Sequence, residues 1–197
     1  LWATHLEGGN PAEYQASRLG ERADSLWSGS NWLAYVQNSV IHLLDSHTLT
    51  ESLAIALSAG DQVSGMAWQA QTGWLAYAIS SPDSASAGIW LHNPQKGNRN
   101  QVLLPDFDPA RQSISHLLWQ PESISADKDG FAGDTLLFSV VPNDPADPVQ
   151  SYRLSANNGT VIPFGPPGYL PISWFQNGLL VKGPLSSDVP TSTTLLM

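Results

Sequence analysis

An all-β fold of consecutive four-stranded antiparallel sheets is what this sequence predicts, and three observations predict it. Four tryptophans, Trp27, Trp68, Trp119 and Trp174, recur at intervals of 41, 51 and 55 residues. After each comes a polar break and a short strand-forming run: Trp32-Leu33-Ala34-Tyr35, Trp74-Leu75-Ala76-Tyr77, Thr135-Leu136-Leu137-Phe138 and Gly178-Leu179-Leu180-Val181. A further strand has an aromatic residue or histidine in its second position: Ile41-His42-Leu43-Leu44-Asp45, Ile89-Trp90-Leu91-His92-Asn93 and Ser151-Tyr152-Arg153-Leu154-Ser155. A recurrence of about 40 to 50 residues is the period of propeller blades, each a small four-stranded sheet. The expected architecture is therefore a β-propeller.

Taken in order, the chain opens with Leu1-Trp2-Ala3-Thr4-His5, which has the form of a third strand and starts a partial blade over 1–24. Complete blades are expected at about 25–62, 64–110 and 113–167, and a second partial blade at 171–197, whose third strand would begin with Thr193–Met197. Four residues past the polar end of each aromatic strand stand Gly9, Leu49, Gly97 and Gly159. The glycines fit hairpin turns, which need positive φ without a Cβ clash. Outer strands are expected at Leu53–Leu57, Val102–Leu104 and Val161–Phe164. Insertions fall at Gln120–Asp134, Ser80–Ala87 and Val141–Pro148, all rich in turn-forming residues.

Two stretches compete with this reading. Asn10-Pro11-Ala12-Glu13 has a cap and an N1 proline suited to a helix start, and Thr50 to Ala59 followed by Gly60 suits a short capped helix. In the repeat register both are outer strands, and the landmarks in step favour the strand. A β-sandwich is the remaining alternative. The phase of the ends, with a third strand offered at each, reads as an excerpt of a larger ring or as four-bladed closure.

Composition narrows the function. At 197 residues, with 42% apolar and 13% charged residues, the chain is globular and is expected to form one large domain or two small ones, which the repeat reads as a single propeller domain or a fragment of one over 1–197. A net charge of −9 without clustered Lys and Arg argues against nucleic acid and for neutral, cationic or protein partners. There is no cysteine, so no thiolate metal site and no disulfide. No run of about 18 apolar residues occurs, so no membrane span is expected. The chain begins at Leu1 with no initiator methionine and no leader, which reads as a trimmed form or an excerpt. Asn158-Gly159-Thr160 would serve as a glycosylation acceptor in a secreted eukaryotic protein.

The repeat resembles that of the TolB-like, WD-type family of bacterial propellers, also seen in the propeller domains of prolyl oligopeptidases. That pattern runs aromatic, Ser-Pro-Asp-Gly, two residues, Leu-Ala-Tyr, then a strand of the Ile-Tyr-Leu-Met-Asp kind and a Gly turn. Trp68 through Tyr77 has the spacing, with Gln69-Ala70-Gln71 in place of Ser-Pro-Asp and Gly73 one position late. Trp27-Ser28-Gly29-Ser30 keeps the serine; Trp119-Gln120-Pro121-Glu122 keeps proline and an acid; Trp174-Phe175-Gln176-Asn177-Gly178 keeps the aromatic and the glycine. The resemblance covers nearly the whole chain. It implies a periplasmic or cell-surface protein-binding module.

Candidate chemistry is sparse. Asp127-Lys128-Asp129-Gly130, with Asp134 beyond, resembles the start of a calcium loop but lacks a third alternating ligand and a closing glutamate. Asp106-Phe107-Asp108-Pro109 and Asp144-Pro145-Ala146-Asp147 read as turns whose Asp caps its own backbone. His5, His42, His47, His92 and His116 have no metal-ligand spacing, and His42 fills the aromatic slot of its strand. Trp2, Trp32, Trp74 and Trp90 could stack on sugars, but three lie within strands, which favours packing. Nucleophile elbows, zinc-protease helices and phosphate loops are missing from the sequence.

The expectation is thus a non-enzymatic propeller scaffold that binds another protein outside the cytoplasm, with no cofactor and no metal. No catalytic or binding residue is assigned. Two alternatives stand beside it: a propeller-type hydrolase or lyase with acids at a central funnel, or the gating propeller of a prolyl-oligopeptidase-like enzyme.

Overall fold

A computed structural model describes residues 2–4, 16–18, 25–29, 32–45, 47–48, 50–69, 71–81, 85–93, 96–121, 134–175, 178–183 and 193–196. Among these residues there are antiparallel strands and no helix. The chain divides into two compact units, Leu1–Ala59 and Gly60–Met197.

In the first unit, β1 (Trp2–Thr4) pairs antiparallel with β2 (Ala16–Arg18). A four-stranded meander follows: β3 (Ser25–Gly29), β4 (Trp32–Gln37), β5 (Val40–Asp45) and β6 (Glu51–Ala56). The β4–β5 hairpin is closed by two residues, Asn38 and Ser39, with φ of 51° and 58°. That pair of left-handed residues matches the twist of the flanking strands, and Asn tolerates it well. The stretch from Thr50, which could have begun a helix, is a strand because Ile55 pairs with Ile41 and Leu53 with Leu43. Ladder partners override a local cap signal. The Asn10–Glu13 stretch lies outside the described residues.

Among its described residues the second unit contains three sheets. The first is β7 (Gln62–Gln69), β8 (Trp74–Ser80), β9 (Gly88–Asn93) and β10 (Asn98–Val102). The second is β11 (Gln112–Trp119), β12 (Thr135–Pro142), β13 (Gln150–Ser155) and β14 (Val161–Pro163). A third, of three strands, is β15 (Leu170–Phe175), β16 (Gly178–Lys182) and β17 (Thr193–Leu196). Gly97 and Gly159 have φ of 66° and 72°, the turn geometry their positions predict.

The sheets stack face on face through the pleat. Along β12, Leu136 and Phe138 join Trp74, Ala76, Ala78, Ile89 and Leu91 of the first sheet in one core. Leu137, between them, points the other way and packs with Leu179 and Val181 of the third sheet. The small Ala76 and Ala78 leave room for the large rings opposite, and all of these side chains are buried.

One outer strand is displaced from its expected place. The edge strand is Asn98–Val102, so of the expected Val102–Leu104 only Val102 is in a strand, and Leu103 beyond it is 85% exposed. The Gly97 turn delivers the chain straight into pairing with β9, so backbone register, not apolar content, sets this polar edge.

Candidate functional site

The residues that follow that strand line a concavity of the second unit. The connection from β10 to β11 folds back over the outer half of the second sheet. Leu104, Pro105, Phe107, Val140, Tyr152 and Val161, with Asp106 and Gln112, line a shallow depression of about 20 Å³, partly open to solvent. Phe138 forms part of its floor and stacks with Tyr152, ring centroids 5.4 Å apart at 15°.

Local hydrogen bonds fix the loop above it. Asp106 takes a left-handed φ of 57°. The Asp108 N–H donates to Gln112 Oε1 at 2.9 Å, and the Ala110 N–H donates to Asp108 Oδ1 at 3.0 Å. Asn143 Nδ2 and N–H donate to the carbonyls of Ala110 and Arg111, at 3.1 and 2.8 Å. Asp106 and Asp108 are exposed at the rim, where Asp108 meets Arg111 only loosely, at 3.6 Å. The depression has a mixed apolar and polar lining and room for about one water molecule, with the exposed carboxylate of Asp106 at its edge.

Other acids are turn residues, as their proline-punctuated context implies. Asp144 Oδ1 accepts from the Ala146 N–H at 2.9 Å. Asp45 Oδ1 accepts from the N–H groups of Thr48 and His47, and those bonds, Thr48 first, hold its carboxyl below the ordinary value. The Asp127–Gly130 segment lies outside the described residues.

Histidines are dispersed. His42 Nδ1 meets Glu51 Oε2 at 2.5 Å and stacks on Tyr35, centroids 4.8 Å apart. Its slot in the strand is therefore a packed, carboxylate-paired one. His92 is half-buried, and burial first, then the Arg99 charge, pushes its pKa below the ordinary 6.5. His116 sits on an irregular turn of β11; His5 is outside the described residues. Among the described residues no three His, Cys, Asp or Glu side chains converge as a metal site would need.

Trp32 and Trp74 are buried, and Lys96 Nζ lies over the Trp74 ring at 5.6 Å. The Trp90 ring is covered by the Arg99 guanidinium at 4.8 Å, and Arg99 Nε donates to the Tyr77 hydroxyl at 2.8 Å. Their faces are thus taken by the chain itself. Asn158 stands in an exposed turn and accepts from the Thr160 N–H at 2.9 Å. Sequence reading missed the hollow because Leu103 and Leu104 looked like strand; Pro105 directly after them is the signal that the strand has ended.

No protein-family profile matches this chain, and no curated protein matches it. No helix among the described residues is long and apolar enough to cross a membrane.

Proposed function

We propose that this chain is a non-enzymatic, propeller-type scaffold that binds a protein partner through the hollow beneath the Leu103–Arg111 connection. The observation that carries the reading is Leu103, 85% exposed and next in the chain to Leu104, which with Pro105, Asp106 and Phe107 lines a shallow depression against the second sheet.

The propeller part of the proposal, and the TolB-like, WD-type kinship with it, draws support from the second unit. Successive meanders stack face on face, and their first strands share one register: Trp68 opposite Leu75, Trp119 opposite Leu136, Trp174 opposite Leu179. The hydrolase alternative is less well supported, because β7, β11 and β15 carry no Asp or Glu in their sequences. With a net charge of −9, the scaffold would draw a partner segment bearing Lys or Arg around an apolar anchor. A periplasmic or cell-surface location belongs to the same proposal.

A photo-reactive residue placed at Leu103 tests it in an extract of the protein's own cells. The proposal requires a discrete crosslinked partner that fades as salt is added and with Leu103→Asp. No adduct, or the same adducts from a probe at exposed Asp147, would overturn it.

A further inference from the structure

The first sheet of the unit Gly60–Met197 ends in an open edge. β10 (Asn98–Val102) pairs with β9 on one side and is the last strand of its sheet. Its pairs with β9, from Asn98–Asn93 to Val102–Ile89, keep register without a bulge. Beyond that ladder the β10 backbone makes no hydrogen bond among the described residues. A row of N–H and C=O groups on its far side is therefore free, and onto such a row another strand can add.

The last strands of the other four-stranded sheets are blunted, and this one is not. The ladder of β6 shifts register beside Leu44, while β14 is three residues long and carries Pro163. Bulges, prolines and short length are devices against edge pairing. β10 has none of them. A cation standing out from the edge would be another such device, but Arg99 does not stand out. It reaches back across β9, where its Nε donates to the hydroxyl of Tyr77 on β8 at 2.8 Å. On the way its guanidinium lies 4.8 Å from the Trp90 ring centroid. Tyr77 is fully buried, so this anchor is fixed. The exposed side chains left along β10 are Asn98 and Asn100, both neutral.

Charge selects the occupant. From Ser84 to Pro105 the sequence holds Lys96 and Arg99 and no Asp or Glu, in a chain with seventeen acids and eight bases. We propose that β10 is a docking edge for an extended acidic segment of another protein, which adds to the sheet as a fifth strand. Its backbone pairs with the free side of β10 and supplies the affinity. Side chains on one face of that strand stand beside Arg99 and Gln101, which share a face of β10. A carboxylate there is drawn by the guanidinium over β9, and a lysine is repelled. No acid in β8, β9 or β10 opposes the carboxylate. This edge is separate from the depression at Leu104, and neither reading rests on the other.

The test is NMR of the full chain titrated with the end-blocked peptide Thr-Val-Glu-Val-Thr and with its Gln and Lys counterparts. The Glu peptide should shift the β10 amide signals along a saturating curve with Kd near about 1 mM. It should also slow hydrogen exchange at the β10 amides that do not bond β9. The Lys peptide should bind at least about threefold more weakly, the Gln peptide should fall between, and Arg99→Gln should erase the difference. Two further Glu peptides, N-methylated at alternate positions in opposite phase, need no variant of the protein. One should lose binding and the other keep it, since an added strand uses only every second N–H. Equal binding of all three peptides, the same result from both methylated phases, or shifts centred away from β10 would overturn the proposal. So would a dimer of the chain alone in which those amides are already protected, because a second copy would then be the occupant.

Discussion

The indole Nε1 of Trp119 donates to the backbone carbonyl of Ala67 at 3.0 Å, joining the first strand of one sheet to the first strand of the sheet before it. Two companions run alongside: Ser64 Oγ donates to the Ile114 carbonyl at 3.1 Å, and Gln69 Nε2 to the Gln120 carbonyl at 3.2 Å. Trp119 is thus more than a large apolar filler, unlike its counterpart Trp174, whose Nε1 is buried without a hydrogen-bond partner. The Trp119 ring joins the core between the sheets and its N–H finds a partner there, which is how buried Trp is usually accommodated.

Trp119→Phe should therefore destabilise the chain by about 1–2 kcal/mol, since the ring area is largely kept while the Ala67 carbonyl loses its donor. Urea denaturation should show a lower midpoint with an unchanged slope. Trp119→Ala should cost about 3–5 kcal/mol, because it leaves a cavity as well.

Gly65 lies in close approach to a side chain of the next sheet. A Cβ built there would lie 2.9 Å from Leu117 Cδ1. Gly65→Ala should cost about 1–3 kcal/mol through overpacking. Leu117→Val removes the obstructing atom, so the double variant should be more stable than the two single costs add up to, by at least about 0.5 kcal/mol. Strict additivity in denaturation midpoints would show that the two positions are uncoupled.

His92 makes the fold acid-sensitive. Both its ring nitrogens are buried without a hydrogen-bond partner, and burial, then Arg99, pushes its pKa down from 6.5. The folded state prefers the neutral ring while the unfolded chain takes up a proton at the ordinary value. That stability is present above pH 6.5 and is lost as pH falls below it. His92→Leu should flatten the acid limb of the stability curve without lowering stability at neutral pH. A variant as acid-sensitive as the parent would place the effect elsewhere, the depressed pKa of His116 being the next source.

The all-β class was legible because its signals are periodic. Trp68, Trp119 and Trp174 sit in one register against Leu75, Leu136 and Leu179, whereas Trp27 faces Ala34, one place off from that pattern. A tryptophan's spacing therefore gives the strand but not its exact partner. The Gly97 and Gly159 turns were legible because only φ > 0 explains glycine at that offset. Hidden from sequence were features set by neighbours in space. Asn98–Val102 is a strand through its ladder to β9, despite exposed polar side chains. The left-handed His116 has no local signature, since histidine carries no preference strong enough to announce it. The hollow at Leu103 depends on where a loop lands, which periodicity does not encode.

Tyr77 gives the opposite pH limb. Its side chain is fully buried, and its hydroxyl accepts from Arg99 Nε at 2.8 Å. Burial raises its pKa above the ordinary 10.0, while the Arg99 charge and hydrogen bond pull it down; burial prevails. The unfolded chain then ionises this phenol before the folded one does, so its contribution is whole below pH 10.0 and drains away above it. Tyr77→Phe should thus lose about 1 kcal/mol at neutral pH, because the Arg99 donor is left without its acceptor. Near about pH 11 the gap between variant and parent should narrow, since only the parent pays for keeping a phenol neutral. Urea midpoints measured at both pH values decide the matter. A gap that stays constant would mean that the Tyr77 hydroxyl reaches solvent and ionises freely within the fold.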